Sequence, residues 1–149
     1  DVDGTLTDGL MVYGSTGEIL KNFYTRDGKG FDQLRGIGVQ VCVITGEDSP
    51  TTTARMKKLR MDEYYPNVED KLALIKEKLV PWGVTLDQVA FIGDDLGDLE
   101  PIIHVGISFC PADAIEQVRA ASDHICTGDG GAGAVREVCD LIFDAHVGT

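Results

Sequence analysis

Apolar and polar positions along the chain follow two periods, one typical of buried strands and one typical of helices. Short apolar runs rich in β-branched residues predict strands of a parallel sheet buried on both faces: 39–44, 89–92, 105–110 and the shorter 123–126. Apolar residues three or four positions apart predict helices around these runs: 27–35, 49–59, 69–79, 112–121 and 134–146. This alternation of strands and helices predicts an α/β fold.

Residues with preferences for helix ends indicate where two of these helices begin. Asp27 is a candidate N-cap for the first helix. Ser49 and Pro50 are typical of the N-cap and the first position of the second helix. The glycine-rich segment 128–133 lacks the long preceding strand and the downstream acid of a dinucleotide site, so we interpret it as a loop.

One segment departs from the alternation of strands and helices. Residues 10–24 predict a β-hairpin, with strands over 10–13 and 18–24 joined by a turn at 14–17. A two-stranded ribbon with an apolar face is only marginally stable alone. We therefore expect this hairpin to pack against something else, such as another subunit.

Composition bounds the class of protein. A chain of 149 residues with 43% hydrophobic and 26% charged residues fits a single domain over 1–149. The net charge of -12 argues against a nucleic-acid partner, because such a partner would require a basic face. No apolar run approaches the length of a membrane span, so we expect no membrane partner.

The cysteines and histidines show no spacing typical of a metal site. Four cysteines lie in apolar segments without a C-x-x-C pair: Cys42, Cys110, Cys126 and Cys139. This pattern favours buried, reduced thiols and a cytoplasmic setting over disulfides or zinc. Ordinary core or surface roles are likewise expected for the three histidines: His104, His124 and His146.

Two carboxylates two residues apart open the chain. If Asp1 and Asp3 leave a strand, their side chains point the same way and can reach one small volume. Two anions so close need a cation or a shared proton. A divalent metal would keep one as a nucleophile, while the other could act as general acid and base. Because such a site requires an apolar strand before it, we expect further residues to precede Asp1.

The same residues have two simpler interpretations. An isolated D-x-D-G segment is most often a polar turn. A calcium loop starting at Asp1 would need Gly at its sixth position and Glu at its twelfth, where the chain has Leu6 and Val12. Calcium is therefore not expected, and the turn remains the alternative for this segment taken alone.

Two motifs suit a bound phosphate. Thr45 and Gly46 end the predicted strand 39–44, where a hydroxyl and backbone N–H groups could meet an anion. Lys71 lies in the first turn of the predicted helix 69–79, where a cation opposes the helix dipole unless an anion is near. A polar loop residue and a solvated lysine are the simpler interpretations of each motif alone.

Three acids follow the predicted strand 89–92 within a few residues: Asp94, Asp95 and Asp98. A solvated acidic loop is the simpler interpretation. Acids at the carboxyl end of a strand, beside a ligand site, also suit a hard cation such as magnesium.

Together these motifs resemble those of the haloacid dehalogenase superfamily. Their order and spacing match throughout: Asp1-x-Asp3-Gly4-Thr5, Val43-Ile44-Thr45-Gly46, Lys71 and Gly93-Asp94-Asp95-x-x-Asp98. Other segments are similar to a capless branch that acts on phosphorylated keto sugar acids: Arg26-Asp27-Gly28, Ala112-Asp113-Ala114 and 130–138. The resemblance implies a Rossmann-like three-layer sandwich with a central parallel sheet, a hairpin inserted after the first strand and no cap domain.

The resemblance also implies a phosphatase, that is, a phosphoric monoester hydrolase. Asp1 would attack phosphorus to form an aspartyl-phosphate. Asp3 would protonate the leaving oxygen and then activate water. Thr45 and Lys71 would hold and neutralise the phosphoryl oxygens.

Magnesium is the implied cofactor. By resemblance, Mg²⁺ would be bound by Asp1, the backbone carbonyl of Asp3 and the carboxylate of Asp94. Asp95 or Asp98 would support these ligands from behind.

The implied substrate is 3-deoxy-D-manno-octulosonate 8-phosphate or the nine-carbon 2-keto-3-deoxynononate 9-phosphate. Candidate substrate-binding residues are Arg26, Gly46, Glu47, Arg55 and Lys58. Glu47 stands where the eight-carbon pattern typically has Arg and, with Arg55 and Lys58, resembles the nine-carbon pattern. Arg26 resembles the eight-carbon one, so the signal is mixed. Solvated helix charges are the simpler interpretation of Arg55 and Lys58.

Capless members of the superfamily assemble as homotetramers whose hairpins cover neighbouring active sites, which implies the same role for residues 10–24. The alternative is a non-catalytic oligomerising module of the kind attached to an acylneuraminate cytidylyltransferase. The intact acids at Asp1, Asp3 and Asp94 favour the enzyme.

Overall fold

The structure is a computed structural model that describes residues 1–148, which form an α/β fold. The strands are β1 (Thr7–Gly14), β2 (Gly17–Phe23), β3 (Val43–Ile44), β4 (Tyr64–Tyr65), β5 (Ala90–Ile92), β6 (Ile107–Cys110) and β7 (His124–Ile125). The helices are α1 (Thr25–Gly36), α2 (Pro50–Lys58), α3 (Lys71–Trp82), α4 (Leu99–His104), α5 (Glu116–Ala121) and α6 (Ala134–Val147). No cap domain interrupts the described residues, and the predicted fold class is confirmed.

The parallel strands form two sheets. β3 pairs with β4, and β6 lies between β5 and β7. Side chains of both sheets meet in one core cluster, which contains Ile44 of β3 and Phe91 of β5. The loops that follow β3 and β5 leave the carboxyl ends of these strands, which is where ligand sites of open α/β sheets lie.

Residues of both parallel sheets line a cavity of about 550 Å³. It is lined by 39–42, by 89–92 and by apolar side chains of α1, α3 and α6. The strand predicted over 39–44 is regular only at Val43–Ile44, because no described strand pairs with 39–42 beside this cavity. Asp1 also lines this cavity.

The N-caps predicted for two helices can be compared with the structure. α1 begins at Thr25, so Asp27 is not its N-cap but lies within its first turn, where only 3% of its surface is exposed. The helix starts earlier because the backbone N–H of Asp27 already donates to Tyr24 O, over 3.3 Å. The cap predicted at Ser49 is confirmed, since its Oγ accepts from Thr52 N over 3.2 Å.

Other predicted boundaries of helices and strands differ from the structure where short elements or turns intervene. The helix predicted over 112–121 is limited to Glu116–Ala121, because Ala114 N donates to Pro111 O over 3.2 Å in a turn. α4 and β4 were not predicted. With six and two residues, they are too short to show a periodic pattern.

The hairpin predicted over 10–24 is confirmed. β1 and β2 pair antiparallel, with Val12 opposite Leu20 and register irregularities on either side. The ribbon exposes apolar side chains, between 50% and 69% each: Leu10, Val12, Tyr13, Ile19 and Leu20. Within one subunit this apolar surface is uncovered.

The four cysteines are free thiols, three of them buried, as the sequence predicts. Across residues 1–148, no helix combines the length and apolar character needed to cross a membrane.

Candidate active site

The first residues of the chain wind tightly around one carbonyl oxygen. The amides of Thr5, Leu6 and Thr7 all donate to Val2 O, over 2.8 to 3.1 Å. Gly4 adopts φ 85°, a conformation that glycine tolerates best. The side chain of Val2 is fully buried, which anchors the backbone between Asp1 and Asp3. We call residues 1–7 the catalytic loop, because Asp1 and Asp3 are the candidate catalytic residues.

Lys71 links Asp1 to Asp98. Its Nζ lies 2.7 Å from Asp1 Oδ1 and 2.6 Å from Asp98 Oδ1, and the three side chains are only 7%, 8% and 3% exposed. α3 begins at Lys71, and Asp70 caps the helix by accepting from Ala73 N over 2.9 Å. The two carboxylates offset the unfavourable placement of a cation at a helix amino end.

Asp94 follows β5 and lies directly against the catalytic loop. A Cβ added to Gly4 would come within 2.0 Å of Asp94 Oδ2, so a side chain at this position would displace the acid. Thr5 Oγ donates to Asp1 Oδ2 over 3.0 Å and lies 3.4 Å from Asp94 Oδ1. Thr5 therefore connects the two acids.

Three carboxylates could hold a divalent metal. Oxygen atoms of Asp1, Asp94 and Asp98 lie within 4.8 Å of one another. Burial, followed by repulsion from Asp98 and Asp95, raises the pKa of Asp94 to about 6. A hard cation would relieve this crowding of acids, and carboxylate oxygens are the ligands that such a cation prefers. The residues present therefore fit a metal of the magnesium type.

Asp98 and Asp95 have different local roles. Asp98 Oδ2 accepts from the backbone N–H of Asp94 over 3.0 Å and from that of Asp95 over 3.3 Å, which shapes the loop after β5. Asp95 Oδ1 accepts from Leu96 N over 2.7 Å, at the start of a short 3-10 helix. Of the two, Asp98 is therefore the acid that supports the cluster.

Asp3 has a cationic partner of its own, on the hairpin. Lys21 Nζ lies 2.8 Å from Asp3 Oδ1 and 3.3 Å from Glu18 Oε2, and its side chain has no exposed surface. Burial lowers the pKa of Lys21, but Asp3 and Glu18 outweigh this effect and leave the pKa above its usual value. Glu18 in turn accepts from Ser49 Oγ. This chain of contacts connects the catalytic loop, the hairpin and α2.

Thr45 and its neighbours occupy the loop after β3. Thr45 is 2% exposed, and its Oγ accepts from Glu47 N over 3.2 Å. Gly46 and Glu47 are exposed, and Glu47 O accepts from Asn67 N over 3.2 Å. The Glu47 side chain is thus presented to solvent beside the carboxyl end of β3.

Three other candidate residues lie elsewhere. Arg26 lines a separate surface pocket of about 400 Å³ whose lining contains none of the clustered acids. The Arg55 guanidinium lies 5.8 Å from the ring centroid of Phe23. Lys58 is exposed and ends α2, about 12 Å along the helix axis from Pro50. In the part of the chain that the structure describes, the contacts given for these three cations do not include the acid cluster.

The glycine-rich loop presses on the catalytic loop, backbone against backbone. A Cβ at Gly130 would lie 1.9 Å from Gly4 O and 2.9 Å from Thr7 O. Gly131 N donates to Thr5 O over 3.1 Å. This packing explains why the loop before α6 needs glycine.

Lys21, Glu18, Thr5 and Asp98 have contacts in the site that the sequence reasoning did not assign. Lys21 could not be identified from the sequence, because its contact with Asp3 depends on how the hairpin folds back over the chain. The sequence carries no clear signal, because the same strand also contains the polar residues Glu18 and Asn22. Asp98 was considered only as an alternative to Asp95.

Comparisons with known proteins place this site in a family. A family model described as haloacid dehalogenase-like hydrolase matches residues 62–137. The 3-deoxy-D-manno-octulosonate 8-phosphate phosphatase of Haemophilus influenzae is 40% identical over 146 residues, which cover 98% of this chain and 81% of the relative.

Solved structures with similar folds come from the same group of phosphatases. The cobalt-bound form of the Haemophilus influenzae phosphatase has a TM-score of 0.93 at 39% identity, covering 98% of this chain and 85% of that one. The Moraxella catarrhalis phosphatase, in complex with magnesium, phosphate and a KDO molecule, has a TM-score of 0.90 at 39% identity, covering 99% of this chain and 88% of that one.

The α/β fold and the acids at the ends of its strands are typical of a hydrolase of the phosphatase type. The chain belongs to the haloacid dehalogenase-like hydrolases. Within them it is similar to the 3-deoxy-D-manno-octulosonate 8-phosphate phosphatases, and the predicted family and enzyme class, a phosphoric monoester hydrolase, are confirmed.

Proposed function

We propose that this chain is a magnesium-dependent phosphatase that hydrolyses the phosphate monoester of a keto sugar acid through an aspartyl-phosphate. The observation that carries the proposal is the buried cluster in which Lys71 bridges Asp1 and Asp98 beside Asp94. A purely structural module would have no need for three crowded carboxylates, because buried acids cost free energy unless they are paired.

Asp1 is the proposed nucleophile, and its carboxylate attacks phosphorus in line with the leaving sugar oxygen. The ammonium of Lys71, 2.7 Å away, orients Asp1 and neutralises charge that develops on the phosphoryl oxygens. Thr45 is proposed to hold the same oxygens with its hydroxyl and backbone N–H.

Asp3 is the proposed general acid and base. It gives its proton to the leaving oxygen and later removes one from the water that hydrolyses the aspartyl-phosphate. Lys21, 2.8 Å from Asp3 Oδ1, holds this carboxylate in position from the hairpin. Lys21 is therefore a positioning residue in this proposal.

Mg²⁺ is the proposed cofactor. It would be held by the carboxylates of Asp1 and Asp94 and by the backbone carbonyl of Asp3. Asp98 orients Asp94 by accepting a hydrogen bond from the Asp94 backbone N–H. When bound, it supplies positive charge against the phosphate oxygens. Support comes from the raised pKa of Asp94, about 6, which marks a buried carboxylate in need of a counter-charge.

The proposed substrate is 3-deoxy-D-manno-octulosonate 8-phosphate, because the relatives that share most of this chain act on it by name. The nine-carbon 2-keto-3-deoxynononate 9-phosphate is the second candidate. It is favoured by the exposed acid Glu47 beside Thr45, which stands where the eight-carbon pattern typically has Arg and would accept hydrogen bonds from sugar hydroxyls.

We further propose that the chain acts as a homotetramer, because the hairpin leaves five large apolar side chains uncovered next to the residues that contact Asp3. In such an assembly, Arg26, Arg55 and Lys58 could meet the substrate of a neighbouring subunit.

Phosphate release from a panel of eight- and nine-carbon keto-acid phosphates, with magnesium, tests the function. We expect turnover of at least one of them and a loss of about 10³-fold or more in Asp1→Asn, since the nucleophile is removed. Hexose phosphates as the preferred substrates would contradict both candidates. No phosphate release from any ester would favour the oligomerising module instead.

A further inference from the structure

A second group of metal-binding side chains lies away from the acids of the active site. His124 on β7, Cys126 just after it and Glu137 on α6 present ligand atoms that all lie within 4.8 Å of one another. One nitrogen, one sulfur and one oxygen donor form a mixed set of the kind that binds zinc. No step proposed for phosphate hydrolysis uses these residues.

Glu137 is held in place for this role. Its Oε2 accepts from Thr127 N over 2.9 Å, from Thr127 Oγ over 2.8 Å and from Gly128 N over 3.2 Å. Oε1 accepts only a longer bond from Thr127 N and faces His124 Nε2 at 3.4 Å. Burial raises the pKa of Glu137, but the hydrogen bonds from Thr127 and Gly128 outweigh it, so the pKa is lowered. The carboxylate is thus anionic, oriented by one oxygen and available through the other.

His124 and Cys126 share one side of the chain because they lie two residues apart in an extended segment. The His124 ring packs edge-on against Phe109, with ring centroids 5.6 Å apart, and its side chain is 42% exposed. A cation can therefore reach the imidazole and Glu137 directly from solvent. The thiol of Cys126 closes the site from the protein side.

Cys126 sets the chemical condition for binding. It is 2% exposed, and its thiol donates to Ala134 O over 3.8 Å. A metal must displace this proton, because the thiolate is the form that binds metal. A cation with a strong affinity for thiolate is needed, which favours zinc over magnesium.

We propose that His124 Nε2, Cys126 Sγ and Glu137 Oε1 form a zinc site distinct from the acid cluster around Asp1. Zinc ligands lie about 2.0 to 2.3 Å from the metal, so rotation of the partly exposed His124 ring toward the thiol and Glu137 Oε1 completes the site, with water as the fourth ligand. The spacing of His and Cys in the sequence does not predict this site, because the third ligand comes from a different element.

The proposed site joins β7 to α6 at the base of the glycine-rich loop. Thr127 and Gly128, which orient Glu137, begin the segment that leads to Gly130 and Gly131 against the catalytic loop. Bound zinc would therefore act as a cross-link at the point where this segment leaves the sheet.

Cobalt titration of the full chain tests the proposal, because Co²⁺ bound to a thiolate gives an intense near-ultraviolet charge-transfer band that oxygen ligands do not give. We expect this band in the unmodified protein, its loss in Cys126→Ser and its retention in Cys139→Ser. Cys139 is a matched control, since it is also buried and free. Absence of the band in the unmodified protein, or its persistence in Cys126→Ser, would overturn the proposal.

Two exposed positions keep the test decisive if Cys126→Ser folds poorly. His124→Asn is expected to weaken zinc binding by at least about 10-fold in competition with a chelator, and Thr127→Ala, which frees Glu137, by about 10-fold. His104→Asn, at an exposed histidine outside the group, should leave the zinc affinity unchanged. Equal zinc affinities in His124→Asn and His104→Asn would reject His124 as a ligand.

Discussion

Lys71 Nζ lies 2.7 Å from Asp1 Oδ1, although seventy positions separate the two residues in the chain. The contact places a cation at the amino end of α3, directly on the proposed nucleophile. Because both side chains are almost fully buried, the pair is screened little by water or salt. Its loss should therefore affect catalysis and stability together, and these two effects can be separated.

We expect Lys71→Met to lower phosphate release by about 10²- to 10³-fold, because transition-state charge loses its partner. Unfolding free energy should fall by about 3 to 5 kcal/mol, since two buried carboxylates remain unpaired. Steady-state kinetics and urea unfolding measure the two effects. Lys76→Met, at an exposed position of the same helix, is the control and should change neither.

The double variant Lys71→Met/Asp98→Asn should recover part of the lost stability without recovering activity. Asp98→Asn removes one of the two unpaired charges, whereas the phosphoryl oxygens still lack their cation. Recovery of phosphate release in the double variant would contradict the role proposed for Lys71.

Lys21→Met should lower kcat by about 10²-fold with little change in KM, because Asp3 loses the contact that positions it for proton transfer. Lys29→Met provides a control, since the Lys29 side chain is 81% exposed. Rates measured over a range of substrate concentrations separate the two constants. A rise in KM with kcat unchanged would show that Lys21 serves substrate binding instead.

The hairpin prediction concerns assembly. Val12→Glu/Leu20→Glu introduces two like charges at directly opposed positions of the ribbon, both exposed in one subunit. We expect sedimentation to show smaller species, with the fold retained by circular dichroism. Val80→Glu, at an exposed valine of α3, should leave the assembly intact. A tetramer that survives the paired substitution would contradict the role of the hairpin.

Asp27 should make stability depend on pH. Burial raises its pKa to about 7 from an ordinary 3.8, with Arg136 and Arg55 offsetting only part of the effect. Between pH 3.8 and about 7, Asp27 is protonated in the folded state but has lost its proton in the unfolded state. The contribution of Asp27 to stability therefore falls as pH rises. Relative to Asp27→Asn, the unmodified protein should lose up to about 4 kcal/mol between pH 4 and 7.

Urea unfolding of both proteins across this pH range measures the difference, which should be constant above pH 7.

Asp123→Asn should behave in the opposite sense. The backbone N–H and hydroxyl of Ser108 lower the pKa of Asp123, so its contribution is present at neutral pH and lost as pH falls below 4. A pH-independent difference for Asp27→Asn would contradict the raised pKa.

Much of the α/β framework follows from local pattern. The runs around Ile44, Phe91 and Phe109 are apolar because strands between two helical layers are buried on both faces. Their polar ends could be assigned to one edge of the sheet by the same reasoning. This is why Asp94 could be placed in the acid cluster without knowledge of any contact, while the role of Thr45 stays a prediction.

Contacts that depend on long-range geometry were not predictable in this way. Lys21 reaches Asp3 only because an irregular hairpin folds back over the catalytic loop, and no sequence period encodes that register. Asp27 was predicted as a helix cap because its residue type favours that position, but the backbone entered the helix earlier and carried the acid into the core. Tertiary packing overrode the local preference.

The close approach of Gly130 to Gly4 has a consequence for how this gene could vary. A loop rich in glycine would ordinarily be regarded as a spacer that accepts almost any replacement, yet here even a methyl group would strike the carbonyl of Gly4. A genetic screen for inactive alleles should therefore recover changes at Gly130 as readily as changes at Asp1. The segments around Gly4 and Gly130 are therefore constrained as one unit, and a change in either one affects the other.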